Sequence, residues 1–288
     1  MHVLISTGLI GISLGAQYAM VSIGFTLVFG IMGVVNFAHG GAYVLGGYLA
    51  FFFAQFLGIP FPFAVLLAAA ASGVVGIVIE LIFIDRYVND PLATMMITLG
   101  LYLVLVTGII QIFGPEPVDF HFPISGSLRW NGLYMPYSNL MTLLVCGLSI
   151  GAVYYLIFKT RYGIALRAMA DNRAVAMAQG ILPSRMFPIA FAISMALAGL
   201  TGAMVTPILV LEPSLGDSVL LKSFIVVILG GLGSVGGATI AAFLVGMIEA
   251  YSSVYLGGSK GTLVLFVIVI LILLVRPSGL MGRELRRA

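Results

Sequence analysis

The chain has 288 residues, of which 61% are hydrophobic and only 8% charged, with 36 glycines and a net charge of +3. At a mean hydropathy of +1.19, too little polar surface is left to cover a soluble globule of this size, which identifies an integral membrane protein. The single Cys146 sits in an apolar run, which excludes a disulfide framework and a metal site and leaves a buried structural thiol.

An apolar run of roughly 20 residues is needed to cross the hydrocarbon as a helix, and several runs here are that long. Met1 and His2 give no basic leader, and the apolar run that follows has no clear cleavage site, so it reads as a retained span. This first span covers 3 to 30, with Gly11 and Gly15 in a GxxxG spacing that permits close helix packing. The next stretch, GIMGVVNFAHGGAYVLGG, places glycines and polar groups where a span would be uniformly apolar, so a broken helix is expected. Span two then runs from 42 to 57, Pro60 and Pro62 mark a turn, and span three covers 63 to 84. A short loop at 85 to 91 leads to span four, 92 to 113, and to a loop at 114 to 137 that carries Glu116 and Asp119 against Arg129.

Span five, 138 to 158, enters a polar island at 159 to 185 that holds Lys159, Arg161, Arg167, Asp171, Arg173 and Arg185. Its Ala- and Met-rich middle predicts one short helix from 164 to 179, with Gly180 as C-cap and Pro183 beyond. Span six covers 186 to 207, with Gly199 and Gly202 on its packing face. A segment with Glu212, Pro213 and Asp217 precedes a short apolar piece at 219 to 230, and after GGLGSVGG come span seven, 237 to 256, and span eight, 262 to 275. Arg276, Arg283, Arg286 and Arg287 close the chain. The positive-inside rule puts the island and these arginines in the cytoplasm and the 114 to 137 loop outside. An odd number of crossings must then separate 208 to 218 from the end, so the piece at 219 to 230 crosses or nearly crosses. Counting back from the island puts 85 to 91 inside and the N-terminus outside. The expected fold is all-α and polytopic, about eight transmembrane helices in one transmembrane domain over 1 to 288, with Gly-rich broken or re-entrant segments.

Two such breaks end in GGA, at Gly40, Gly41 and Ala42 and at Gly236, Gly237 and Ala238. Paired helix breaks in corresponding positions point to a solute path, so Gly40, Gly41, Gly231, Gly233 and Gly236 are candidates for path or gate. Gly231, Gly233 and Gly236 also spell GxGxxG, but a dinucleotide site needs soluble alternating strands and helices, which this chain lacks. GGSKGT at 257 to 262 has the wrong spacing for a phosphate-binding loop, so the chain encodes no ATPase site. Asn36 and His39 either cap a helix or line the path. Glu249 reads as the one acid well inside a span; it is either functional or interfacial, with Tyr251, Ser252 and Ser253 beside it. Gln17, Tyr18, Thr94 and Thr98 are weaker polar candidates, read as contacts between helices.

The run GISLGAQYAMVSIGFTLVFGIMGVVNFAHGGAYVLGGYLAFF (11 to 52), the segment YGIALRAMADNRAVAMAQGI (162 to 181), the run VVILGGLGSVGGATIAAFLVGMIEA (226 to 250) and the ending RPSGLMGR (276 to 283) resemble the LivH family. These are permease subunits of ABC importers for branched-chain amino acids. The resemblance covers nearly the whole chain. It implies a bacterial inner-membrane permease without enzymatic activity or a cofactor of its own, and no nucleic acid among its partners. Those partners would be a second related permease, two cytoplasmic ATPase subunits that use the ATP, an extracytoplasmic solute-binding protein and the bilayer. The island then matches the segment that docks on an ATPase, with Arg167, Ala168, Asp171, Arg173 and Gly180 as contact residues. The family pattern usually reads NFAHGE, whereas Gly41 stands here in place of the acid, and relatives that move urea or short amides share most of these motifs. A urea or amide permease is therefore the alternative cargo reading, and a stand-alone secondary transporter the alternative mechanism.

Overall fold

The structure, a computed structural model, describes residues 2–130 and 133–282. Arg283, Arg286 and Arg287, counted above for topology, lie outside the described residues. The helices are α1 (His2–Met32), α2 (Ala38–Phe51), α3 (Phe61–Ile79), α4 (Pro91–Phe113), α5 (Tyr137–Lys159), α6 (Arg161–Asp171), α7 (Arg173–Ala178), α8 (Pro183–Val205), α9 (Leu215–Gly230), α10 (Val235–Leu256) and α11 (Gly258–Val275). A small antiparallel hairpin, β1 (Ser127–Trp130) and β2 (Leu133–Pro136), sits in the 114 to 137 loop, with Leu128 opposite Met135.

By length and composition six helices among the described residues can cross a membrane: His2–Met32, Phe61–Tyr87, Pro91–Phe113, Tyr137–Lys159, Pro183–Val205 and Val235–Leu256. The protein is all-α and multi-pass. The expected number, about eight, is not reached by this measure; α2 has 14 residues and α9 has 16. Helix starts follow local chemistry. Asp90 accepts a hydrogen bond from the Ala93 amide at 3.1 Å just before Pro91, and Ser234 does the same for Gly237 at the head of α10.

The chain divides into two compact units. The first holds Met1–Thr26, Phe122–Leu148 and Lys222–Ala288. Its organising contact is between α1 and α10, where the expected GxxxG packing occurs. A Cβ on Gly15 would fall 2.7 Å from the Phe243 Cα, and one on Gly246 would fall 2.6 Å from the Gly15 Cα. Lipid tails are as apolar as leucine, so close backbone approach replaces hydrophobic burial as the source of attraction between such helices.

The second unit holds Leu27–His121 and Ser149–Leu221. Here α8 is the centre, packed on α2 and α3. Gly199 and Gly202 do form its contact face: a Cβ on Gly199 would lie 2.6 Å from the Ser72 Cβ, and Gly202 leaves room for the Tyr43 carbonyl. Two π-helical turns, Phe52–Phe56 after α2 and Glu80–Ile84 after α3, shift the register of the side chains that follow.

Candidate functional site

In the second unit, the first break is real. Residues 33–36 are non-helical between α1 and α2, and Gly33 takes φ +70. Asn36 is 2% exposed, and neither its side-chain oxygen nor its nitrogen has a hydrogen-bond partner among the described residues. It is therefore not the helix cap. The Phe37 amide donates instead to the Thr98 hydroxyl at 3.2 Å, so Thr98 of α4 ties down the break. His39 is fully buried in α2, with Nδ1 3.2 Å from the Ser194 hydroxyl of α8. Gly40 and Gly41 are sites of close approach: a Cβ on Gly40 would fall 2.9 Å from the Gly216 carbonyl, and one on Gly41 would fall 3.0 Å from the Leu105 Cδ1. The Tyr102 hydroxyl beside them bonds to the Asp217 carboxylate.

The basic island holds two helices where one was expected. Asn172 is extended (φ −157, ψ 103), which ends α6, and its side chain accepts from the Val175 amide at 3.1 Å to start α7. Thr160 caps α6 in the same way through the Gly163 amide. The end of α7 is as expected, because Gly180 (φ +86) donates to Met177 while Ile181 donates to Ala176, the paired bonds of a glycine-terminated helix. Arg167 is exposed with its guanidinium 5.2 Å over the Phe158 ring, and Asp171, four residues on, is also exposed, while Ala168 is half-buried. Arg173 donates to the Asn89 side chain at 3.1 Å and lies 5.1 Å over Phe187. That bond puts the 85 to 91 loop on the same side as the island, as the crossing count requires. Tyr162 donates to the Met186 carbonyl at 2.9 Å, and burial pushes its phenol above the ordinary range, so it stays a donor. On the same two helices, Ile164, Val175 and Met177 are each at least half exposed.

In the first unit, Gly231 (φ +100) and Gly233 (φ +83) form the turn between α9 and α10, and Gly236 lies in the first turn of α10. The run before them is helix, not strand, which removes the remaining likeness to a nucleotide fold. Gly231 is covered by the segment after α11. Its Cβ would fall 2.5 Å from the Gly282 Cα, and Leu280 and Met281 donate to the carbonyls of Leu229 and Gly230 at 2.7 and 3.0 Å. These are orphan carbonyls at the end of α9, so the C-terminal segment caps that helix.

Glu249 of α10 is paired. Lys222 of α9 donates to its Oε1 at 2.6 Å and to the Tyr18 hydroxyl at 3.1 Å, and Tyr18 of α1 donates to Glu249 Oε2 at 2.7 Å. The Lys222–Glu249 contact is an ion pair between two apolar helices. The sequence reading missed Lys222, although a lone cation in one apolar helix and a lone acid in another are each other's natural partners. It also missed Glu80, which is fully buried with neither carboxylate oxygen partnered among the described residues.

The geometry defines a multi-pass membrane protein with an exposed basic helical loop, an ion pair between two of its helices and a few buried polar side chains. A family model described as "Branched-chain amino acid transport system / permease component" matches residues 8–275, and the chain belongs to that family. It is 30% identical to the high-affinity branched-chain amino acid transport system permease protein BraD of Pseudomonas aeruginosa, over 95% of this chain and 94% of that one. It is 31% identical to the corresponding LivH of Escherichia coli K12, over 95% and 94%. Its identity to the LivM permease protein of the same bacterium is 25%, over 96% and 71%. No solved structure matches it significantly.

Proposed function

We propose that the chain is the permease subunit of an ABC importer for branched-chain or related hydrophobic amino acids in a bacterial inner membrane, without enzymatic activity or a bound cofactor of its own. ATP is hydrolysed on two cytoplasmic subunits, a second related permease completes the path, and an extracytoplasmic binding protein delivers the solute. The observation that carries this reading is the exposed α6–α7 segment between two long apolar helices, α5 and α8. It offers Arg167 and Asp171 together with the uncovered Ile164, Val175 and Met177, a mixed surface suited to a protein partner rather than to lipid or water. Family membership and the similarity to both LivH and LivM support the amino-acid cargo and the paired permease.

In this mechanism the segment moves as a rigid lever. Thr160, Asn172 and Gly180 fix both helices locally, and the Arg173–Asn89 bond joins them to the loop between α3 and α4, so closure of an ATPase is passed to the spans as a body movement. The test is uptake of labelled leucine by proteoliposomes carrying the chain with its co-purifying subunits. Uptake requires ATP and those subunits; sustained uphill flux by the chain alone overturns the reading in favour of a secondary transporter.

A further inference from the structure

The cluster of Lys222, Glu249 and Tyr18 lies wholly in the first unit and is the most polar feature of its helices. Gly15 and Gly246 bring α1 and α10 into backbone contact, and across this antiparallel pair the long Tyr18 side chain reaches Glu249. The two charged side chains are 24% and 16% exposed. A charged pair in an apolar helix bundle does not face lipid, so that exposed fraction opens on water or on another polar group.

A second observation lies on the same face of α1. Tyr18, Ser22 and Thr26 recur every four residues, and the Ser22 hydroxyl points to the Ser223 carbonyl at 3.5 Å. Thr26 and Ser223 are fully buried, yet the hydroxyls of both have no partner among the described residues. Unsatisfied buried hydroxyls are costly, and here they continue a polar stripe from the ion pair along α1 and α9.

We infer that Lys222, Glu249 and Tyr18 form a binding station for the zwitterionic end of an α-amino acid, in which the ion pair opens so that Glu249 takes the ammonium and Lys222 the carboxylate. The exchange is close to balanced, because each buried charge trades one opposite charge for another and none is left alone. Tyr18 keeps a hydroxyl between the two sites, within 3.1 Å of Lys222 and 2.7 Å of Glu249. A neutral cargo such as urea offers no charge to either side chain and does not open the pair. The inference rests on the reading of the chain as an amino-acid permease and narrows its substrate to molecules with both charges.

The test uses the intact transporter in nanodiscs with Cys146→Ala and Ser253→Cys, Ser253 being an exposed residue one turn beyond Glu249 on α10. The probe is a water-soluble, charged thiol reagent. Millimolar leucine is expected to slow labelling by about fivefold or more, whereas isovalerate and isoamylamine, which carry one charge each, and urea slow it less than about twofold. Lys222→Met and Glu249→Gln each abolish that protection and lower uptake by about tenfold, and Tyr18→Phe, which keeps the ring, lowers it by a smaller factor. No protection by leucine in a transporter that still takes up leucine with ATP overturns the station and leaves the permease reading intact. Protection by urea without leucine uptake overturns the permease reading itself. If the exchanged pair Lys222→Glu with Glu249→Lys transports at the wild-type rate, the residues are a structural brace and the station is refuted. Should either single variant fail to assemble, the labelling of the unaltered pair decides alone.

Discussion

Glu80 and Lys222 are hidden in the sequence in opposite ways. Glu80 stands near the end of α3 with Asp85 and Arg86 close behind, so its neighbours suggest an interfacial residue, and Glu249 alone was counted as an acid inside a span. Instead Glu80 opens a π-helical turn, and its carboxyl is enclosed with no partner among the described residues. Such a group costs free energy through lost solvation. Glu80→Gln keeps the shape and lowers that cost, so the unfolding midpoint in detergent should rise by the equivalent of about 1 kcal/mol. A fall in the midpoint would mean that a cation from another subunit satisfies the carboxylate. Lys222 is hidden because its apolar neighbours make 219 to 230 a hydrophobic piece, and the pairing that explains it lies on another helix. Asn36 and His39 were legible as polar residues at a break. Their environments were not, because whether a side chain caps its own helix or leaves that to Thr98 depends on which helix packs alongside.

At the scale of the element, composition found the island and its end but not its middle. Gly180 was readable because a left-handed terminus has one cheap residue. The division at Asn172 was not, since an asparagine inside an Ala-rich run is compatible with a continuous helix until its side chain turns to cap the next one. Asn172→Ala removes that cap, and the island should lose about 1 kcal/mol of local stability, visible as faster amide hydrogen exchange across 173–178. The two arginines proposed for coupling are not equivalent. Arg167 is exposed over Phe158, whereas Arg173 is engaged with Asn89 and Phe187. Reversing both charges, Arg167→Glu with Arg173→Glu, should reduce ATP-driven leucine uptake by about tenfold with the membrane level of the subunit unchanged. Unaltered uptake would remove the coupling assignment. With Arg167→Glu alone, ATPase co-purification should weaken while the bond to the 85 to 91 loop persists.

For the whole molecule, the class was legible from hydropathy alone, because a chain this apolar has few ways to satisfy its backbone in a membrane other than helices. The number of crossings was less so. Spans were drawn by apolar length, but α2 and α9 are shortened by the glycine-rich breaks, and a short helix has the same composition as part of a long one. The glycines had the same limit. They announce that some backbone comes close, and the GxxxG of α1 found its partner in α10, yet nothing in GGLGSVGG says that the approaching chain is the segment after α11.

That last contact bears on how the protein is made. The carbonyls at the end of α9 wait for Leu280 and Met281, which the ribosome adds some fifty residues later by the numbering. Until they emerge, the turn between α9 and α10 has been synthesised but not closed, so a chain stopped at Val275 would carry every apolar helix and still be unfinished where α9 ends.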